Sequence, residues 1–382
     1  MIFIFEQNST SEADFLRYHF AKYYSKNFVD SVPNPEFREF GFGVYKRKIA
    51  NRNMGFSSHT QINSFLRESA PLFFSYSNAY YKFPSRTPTL AKEFIKADLI
   101  YEFDADELGL DVPVINDVQW FASEHLELAK KQVFRLMDFL HNDFGFSDDG
   151  VAINFSGKAG FHVHLRGENV QNLNRRARIE LVDYLTTNSV DFANLGFDFV
   201  ALRVPQNKGL WGKRLIEGAK KVLQKDAKEL GKLTSVSAKK VSEVLVNRDA
   251  LFASLDSGRL MPMGRKSKDF WSAIFDLAVE KEAVPIDRQT SVDLNKIIRV
   301  PNTLHGDTGF LAKVIPIDKL AEFDPFKDSI VFGSEQIKLH VLKAPKFSLK
   351  GESFGPFENI AVELPLFAAI FLIGKGAATL IK

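Results

Sequence analysis

Ala97-Asp98-Leu99-Ile100-Tyr101-Glu102-Phe103-Asp104-Ala105-Asp106-Glu107-Leu108 is an apolar run that ends in two carboxylates two residues apart. The run has the length and composition of a strand, and alternation along a strand places Asp104 and Asp106 on one face. Neighbouring positions on a strand face lie roughly 6.6 Å apart, so both carboxylates can converge on metal ions about 4 Å from one another, the arrangement used for in-line phosphoryl transfer. An acid pair at a strand end also occurs in ordinary turns, so its meaning depends on what else the chain carries.

Two later segments supply that context. Val151-Ala152-Ile153-Asn154-Phe155-Ser156-Gly157-Lys158-Ala159-Gly160-Phe161-His162-Val163-His164-Leu165 reads as strand, tight glycine turn and second strand. Gly157 and Gly160 let the backbone take positive φ or approach a ligand closely, while Ser156 and Lys158 add a hydroxyl and a point charge beside exposed amides. Such a turn can cradle a phosphate. On the second strand His162 and His164 share a face, so either imidazole can donate to a phosphate oxygen; the alternative is a hairpin whose histidines are simply half-buried. The segment from Ile286-Asp287-Arg288 to Ile298-Arg299-Val300-Pro301-Asn302-Thr303-Leu304-His305-Gly306 brings another acid. It also brings a guanidinium suited to bidentate phosphate binding and a histidine in a turn bounded by Pro301 and Gly306.

In content and order these segments resemble the catalytic small subunit of the archaeal and eukaryotic DNA primases. Arg38-Glu39-Phe40-Gly41-Phe42, Phe103-Asp104-Ala105-Asp106, Ser156-Gly157-Lys158-Ala159-Gly160-Phe161-His162 and Ile298 to Gly306 follow one another as the family's motifs do. Val362-Glu363-Leu364-Pro365-Leu366-Phe367, an apolar helix and Gly374-Lys375-Gly376 are similar to its closing segment.

The resemblance implies an α+β fold: a primase-type catalytic core of mixed sheet and flanking helices with an inserted all-helical subdomain. It implies a nucleotidyltransferase that makes short RNA or DNA primers on single-stranded DNA. Asp104, Asp106 and, by position in the family motif, Asp287 would hold two divalent ions, Mg2+ or Mn2+. Ser156, Gly157, Lys158, His162, Arg299 and His305 would bind the nucleoside triphosphate. Glu102, on the same strand face as the aspartates, is a candidate supporting group, and Glu39 is a candidate from the resemblance alone. A large partner subunit with an iron-sulfur domain is implied as well, and this chain has no cysteine with which to hold such a cluster. A primase-polymerase acting in repair and a metal-dependent nuclease are the alternative functions. The nuclease would use the same acids to activate water, with less need for groups that hold a triphosphate tail.

Hydrophobic residues make up 45% and charged residues 25% of the 382 positions, enough for a globular protein with a substantial core. The 37 phenylalanines fall mostly at periodic positions that read as core packing. Net charge is only +3, so any nucleic-acid footprint must be local and unaided template binding weak. Met1 to Phe5 lacks the features of a secretory signal, and Leu364 to Ile373 is well short of the ~20 residues that span a bilayer, so a cytoplasmic protein without membrane contact is expected.

Ser9-Thr10-Ser11-Glu12 reads as a capping box before a helix carrying Phe15, Leu16, His19, Phe20 and Tyr23. Residues 32 to 57 read as short strands that carry Tyr45-Lys46-Arg47-Lys48, a basic run that is either a solvated face or a means of steering a triphosphate. Trp120 to Phe144 reads as a helix. Trp211 to Gly231 and Ser237 to Leu255 read as two lysine-rich helices, and Gly258 to Asp269 as a mobile basic loop. The expected organisation is therefore a catalytic core from residues 1–205 and 286–382, interrupted by a helical subdomain at 206–285.

The chain departs from the family pattern after the paired aspartates, where small primase subunits usually carry a cysteine and histidine zinc site. Glu107 to Gln132 contains no cysteine and only His125, a poor set for a structural zinc, which takes four ligands that are mainly cysteine and histidine. The expectation is a zinc-free protein in which Leu108 to Ile115, Trp120 and Phe121 anchor this region by apolar burial.

Overall fold

In the computed structural model, residues 11–187, 190–205, 209–286 and 291–381 are described. The chain divides into two compact units, one drawn from Met1–Phe134, Phe146–Ile179 and Ile286–Lys382, the other from Arg135–Gly145 and Glu180–Pro285.

The first unit holds the sheets. Its strands run β1 (Phe40–Val44), β2 (Arg47–Met54), β3 (Phe73–Ser77), β4 (Ala79–Tyr81), β5 (Phe94–Ala97), β6 (Leu99–Asp104), β7 (Val114–Ile115), β8 (Val118–Gln119), β9 (Val151–Phe155), β10 (Gly160–Leu165), β11 (Ile297–Arg299) and β12 (Val314–Ile315), followed by five more strands near the end. One sheet has the order β11-β3-β1-β2 and the other β12-β9-β10-β6, with every neighbouring pair antiparallel. Strand β11, more than two hundred residues after β3 in the chain, pairs with it so that Arg299 lies opposite Ser75. A third sheet is built from Gln336–Ala344, Phe357–Pro365 and Ala378–Leu380, and the helix Leu366–Gly374 that follows its middle segment is buried along its whole length. Among the described residues no helix is long and apolar enough to cross a membrane.

Alternation on β6 sends Tyr101 and Phe103 into the core while Glu102 and Asp104 keep partial exposure on the opposite face. The strand ends at Asp104; Ala105 is fully buried and Asp106 lies in the turn beyond, so the second aspartate reaches its place by a turn rather than by strand alternation. The phenylalanines pack as the periodicity predicts: Phe40 stacks on Phe74 with centroids 5.4 Å apart, and Phe56 and Phe65 close the same cluster.

The helix expected from Trp120 spans Ser123–Asn142, because His125 accepts a hydrogen bond from the Ala122 amide and caps its first turn. Trp120 instead packs on Phe347 and Phe371, and the segment before it carries the small β7–β8 hairpin.

In the second unit, the two long helices expected at 211–231 and 237–255 are four: Leu210–Val222, Ala227–Thr234, Ala238–Leu245 and Arg248–Asp256. Asp226 and Asn247 cause the breaks, each accepting amide hydrogen bonds from the turn that follows it. Several lysines of these helices pair with acids, as in Lys220 with Glu217 and Asp256, Lys221 with Glu282 and Lys240 with Glu243. The supposed loop at 258–269 already turns into helix at Ser267, with Phe270 and Trp271 fully buried and the Trp271 indole donating to the Met261 carbonyl.

Candidate active site

Strand pairing assembles one wall. In the β6–β10 register Gly160 lies opposite Asp104 and His162 opposite Glu102. A Cβ on Gly160 would sit 1.9 Å from the Phe103 carbonyl oxygen and 2.6 Å from Asp104 Oδ1, so the aspartate side chain folds into space that only glycine leaves free. We expect Gly160→Ala to force these strands apart and cost about 1–3 kcal/mol, readable as a lower denaturation midpoint together with a loss of activity.

The turn between β9 and β10 is held from inside. Ser156 Oγ accepts hydrogen bonds from the amides of Lys158, Ala159 and Gly160 at 3.1–3.3 Å, so these amides point at the serine and its own hydroxyl proton remains to donate outward. Gly157 has φ +89° and passes so close to His305 that a Cβ there would lie 2.8 Å from the histidine's own. Thr308 Oγ1 donates to the Gly157 carbonyl, and Lys158 Nζ pairs with Asp307 at 2.9 Å. The glycine turn and the 305–308 turn are thus locked together.

These elements surround a cavity of about 250 Å3 whose lining includes Glu102, Asp104, Asp106, Ser156, Lys158, His162, Arg299 and His305. Every predicted metal- or nucleotide-binding residue among the described residues except Gly157 lines it, and Gly157 lies behind it against His305. Asp287 lies outside the described residues. His164, the other half of the histidine pair, is fully buried and bonds Asn154 Oδ1 at 2.8 Å, with the Tyr76 hydroxyl at 3.4 Å. It braces His162 from behind through Asn154.

The charge distribution is polarised. At the acidic end, Asp104 Oδ1 is buried with no hydrogen-bond partner. Burial, reinforced by Glu102, Asp106 and Glu107, pushes the Asp104 carboxyl up to about 7. Glu102 is shared between Lys296, with which it forms an ion pair, and His162 at 3.7 Å. Burial takes the His162 imidazole down to about 4, with Lys296 and Arg299 adding to the effect, so it is neutral near pH 7. At the other end, burial lowers Arg299 to about 10 and leaves its Nε without a partner. Its one long hydrogen bond goes to the Phe74 carbonyl at 3.5 Å, and among the described residues no carboxylate lies within ion-pair distance of it. His305 is held well below its ordinary value by burial and then by Arg299, Lys158, Lys48 and Lys375. A hidden carboxylate oxygen and a hidden guanidinium nitrogen in the lining of one cavity leave it short of both a cation and an anion.

The donor set suits a hard divalent ion: carboxylate oxygens, one of them unpartnered, in a field that penalises their charge. No three His, Cys, Asp or Glu side chains form a metal cluster among the described residues. Two carboxylates completed by substrate phosphates are nevertheless a common arrangement for magnesium. His125, the remaining histidine of the 107–132 segment, is engaged with the Ala122 amide and the Asp111 carbonyl.

Arg38 and Glu39 stand apart from this cavity. Arg38 is fully buried, paired with Asp98 at 2.6 Å and lying over the Tyr80 ring, while Glu39 pairs with Lys92 at 2.5 Å and Arg52 at 2.9 Å. Both hold strands together in the interior. Residues lining the cavity that sequence reasoning did not assign are Ser75, Ile49, Ile297 and Ile298. Only the pairing of β3, β1 and β2 with β11, invisible in a linear pattern, brings them there.

Residues 103–317, the stretch that contains both walls, match the family model of the DNA primase small subunit. Curated relatives named DNA primase small subunit align over nearly their whole length. The protein from Methanosarcina barkeri is 30% identical over 96% of this chain and 96% of its own. Those from Methanothrix thermoacetophila and Archaeoglobus fulgidus are also 30% identical, over 95% and 96% of this chain and 98% of theirs. Match and geometry agree, and the chain belongs to the DNA primase small subunit family.

Proposed function

We propose that this chain is the catalytic subunit of a DNA primase, joining nucleotides into short primers on single-stranded DNA at the cavity between β6–β10 and β11. One observation supports this above the others: a buried, unpartnered carboxylate oxygen and a buried guanidinium without a carboxylate line the same small cavity. A metal-bound triphosphate satisfies both ends at once.

In this reading Asp104, Asp106 and Asp287 hold magnesium or manganese. Held there, the ions would supply Lewis acidity to the attacking 3′-hydroxyl and would offset charge on the pyrophosphate leaving group. Arg299 offers its fork to the phosphates, and His162 and His305, both neutral, donate hydrogen bonds without adding charge. Ser156 donates its free hydroxyl proton, and Lys158, steadied by Asp307, gives a point charge. Gly157 allows the turn carrying these groups to close on His305. Positioning and charge neutralisation account for the rate, with no covalent intermediate on the protein. We assign residues 206–285 as an inserted subdomain and the flanks as the catalytic core, and infer a large partner subunit that assists initiation.

Unprimed single-stranded DNA, incubated with labelled ribonucleotides or deoxyribonucleotides in separate reactions, tests the proposal. Template-dependent products that lengthen with time are expected. Shortening of the DNA without incorporation would instead identify a nuclease.

A further inference from the structure

The basic run on β2 has no part in the site as described, yet the sheet is built to aim one of its residues there. Between the pairs Phe42–Asn51 and Val44–Arg47, β1 advances two residues while β2 advances four. The surplus is a bulge that carries Lys48 and Ile49, and bulges next to active sites re-aim side chains. Gly43 makes the bulge possible: a Cβ there would lie 2.2 Å from the Lys48 carbonyl oxygen and 2.4 Å from that of Arg47. Both extra residues line the cavity with Asp104, Asp106 and His305.

Lys48 shares the cavity lining with Asp104 and Asp106 on one side and with Arg299 and His305 on the other. The other lysines near the cavity are occupied, Lys158 by Asp307 and Lys296 by Glu102. Among the described residues no carboxylate lies within ion-pair distance of Lys48. It is exposed and sits on the edge strand of its sheet, whereas Asp104 Oδ1 and Arg299 are hidden inside. Lys48 is therefore the exposed and uncommitted cation of the lining, placed to meet the solvent-facing end of a triphosphate held by the hidden groups.

We propose that Lys48 binds the terminal phosphate of the incoming nucleoside triphosphate and makes the site selective for triphosphates over monophosphates. This rests on reading the cavity as the nucleotide site.

The test is the affinity of the full chain for the tri-, di- and monophosphate of one nucleoside, with magnesium and without template, in wild type, Lys48→Met, Lys48→Arg and Lys46→Met. Lys48→Met should weaken triphosphate binding about tenfold and leave the monophosphate unchanged, with Lys48→Arg close to wild type. Lys46, on the same turn but outside the cavity lining, serves as the control for a general field and should tolerate Met without effect. Equal losses for tri- and monophosphate, no loss at all, or an equal loss in Lys46→Met would overturn the assignment. So would a defect confined to single-stranded DNA binding, which would place Lys48 on the template. If the wild type binds no nucleotide, the nucleotide-site reading itself fails, an outcome separate from any of these.

Discussion

Asp104→Asn should abolish nucleotide incorporation and, in the metal-free protein, raise stability above neutral pH. The loss of activity should exceed the roughly 10–100-fold effect of removing a group that merely supports a metal ligand, because in the proposed reading Asp104 is a ligand itself. The gain in stability follows from the carboxyl's raised pKa, about 7 in the fold against an ordinary value of 3.8. Between those values the folded chain binds the proton that the unfolded chain has released, so stability falls as pH rises through this window. The penalty, complete above about pH 7, is on the order of a few kcal/mol. Asparagine carries no charge and escapes it. Melting curves without metal at pH 5 and pH 8 should show the variant's advantage over wild type growing from the lower pH to the higher. Divalent ion should raise the wild-type midpoint at pH 8 and leave the variant's nearly unmoved. A variant that incorporates nucleotides at the wild-type rate would mean the acids are misassigned.

Arg299→Met is the second large effect, and its two readouts point in opposite directions. Loss of a charge-assisted contact to phosphate costs about 1.5–3 kcal/mol, so nucleotide affinity should drop roughly ten- to a hundredfold. Folding stability should hold or improve, because methionine sheds the desolvation cost of a guanidinium whose Nε is buried without a partner, and this offsets the lost cation–π contact with Phe73. Separate titrations with nucleotide and with single-stranded DNA, together with a denaturation midpoint, check this. A template defect with normal nucleotide binding would contradict the role given to Arg299.

Much of this site could be read from the chain because its parts are local. Alternation put Glu102 and Asp104 on one face, and the glycines at 157 and 160 marked a turn of positive φ and close approach, which the structure realises against the His305 side chain and the end of β6. What the linear pattern hid depends on long-range pairing. Nothing near Arg38 or Glu39 shows that Asp98 and Lys92 neutralise them inside the core, and charged residues on a strand read naturally as surface or site. Likewise Lys48 looks like any residue of a basic run until the register around Gly43 shows where the bulge sends it. In the second unit the lysine-rich pattern was legible as helix, but Asp226 and Asn247 act as caps within it, and a short polar residue inside a polar face gives no sign of that. The 258–269 segment read as a loop because its basic residues precede Phe270 and Trp271, whose burial starts the helix early.

In the proposed function a divalent ion sits against Asp104 and Asp106 and faces the glycine turn. Replacing magnesium with Fe2+ and adding ascorbate and peroxide cuts the backbone beside the bound ion, so mapping the fragments locates it directly. Cuts should fall next to Asp104–Asp106 and Ser156–Gly160, fade with excess magnesium and disappear in Asp104→Asn. Cleavage elsewhere, or cleavage at these positions that survives the Asp104 substitution, would contradict the claim.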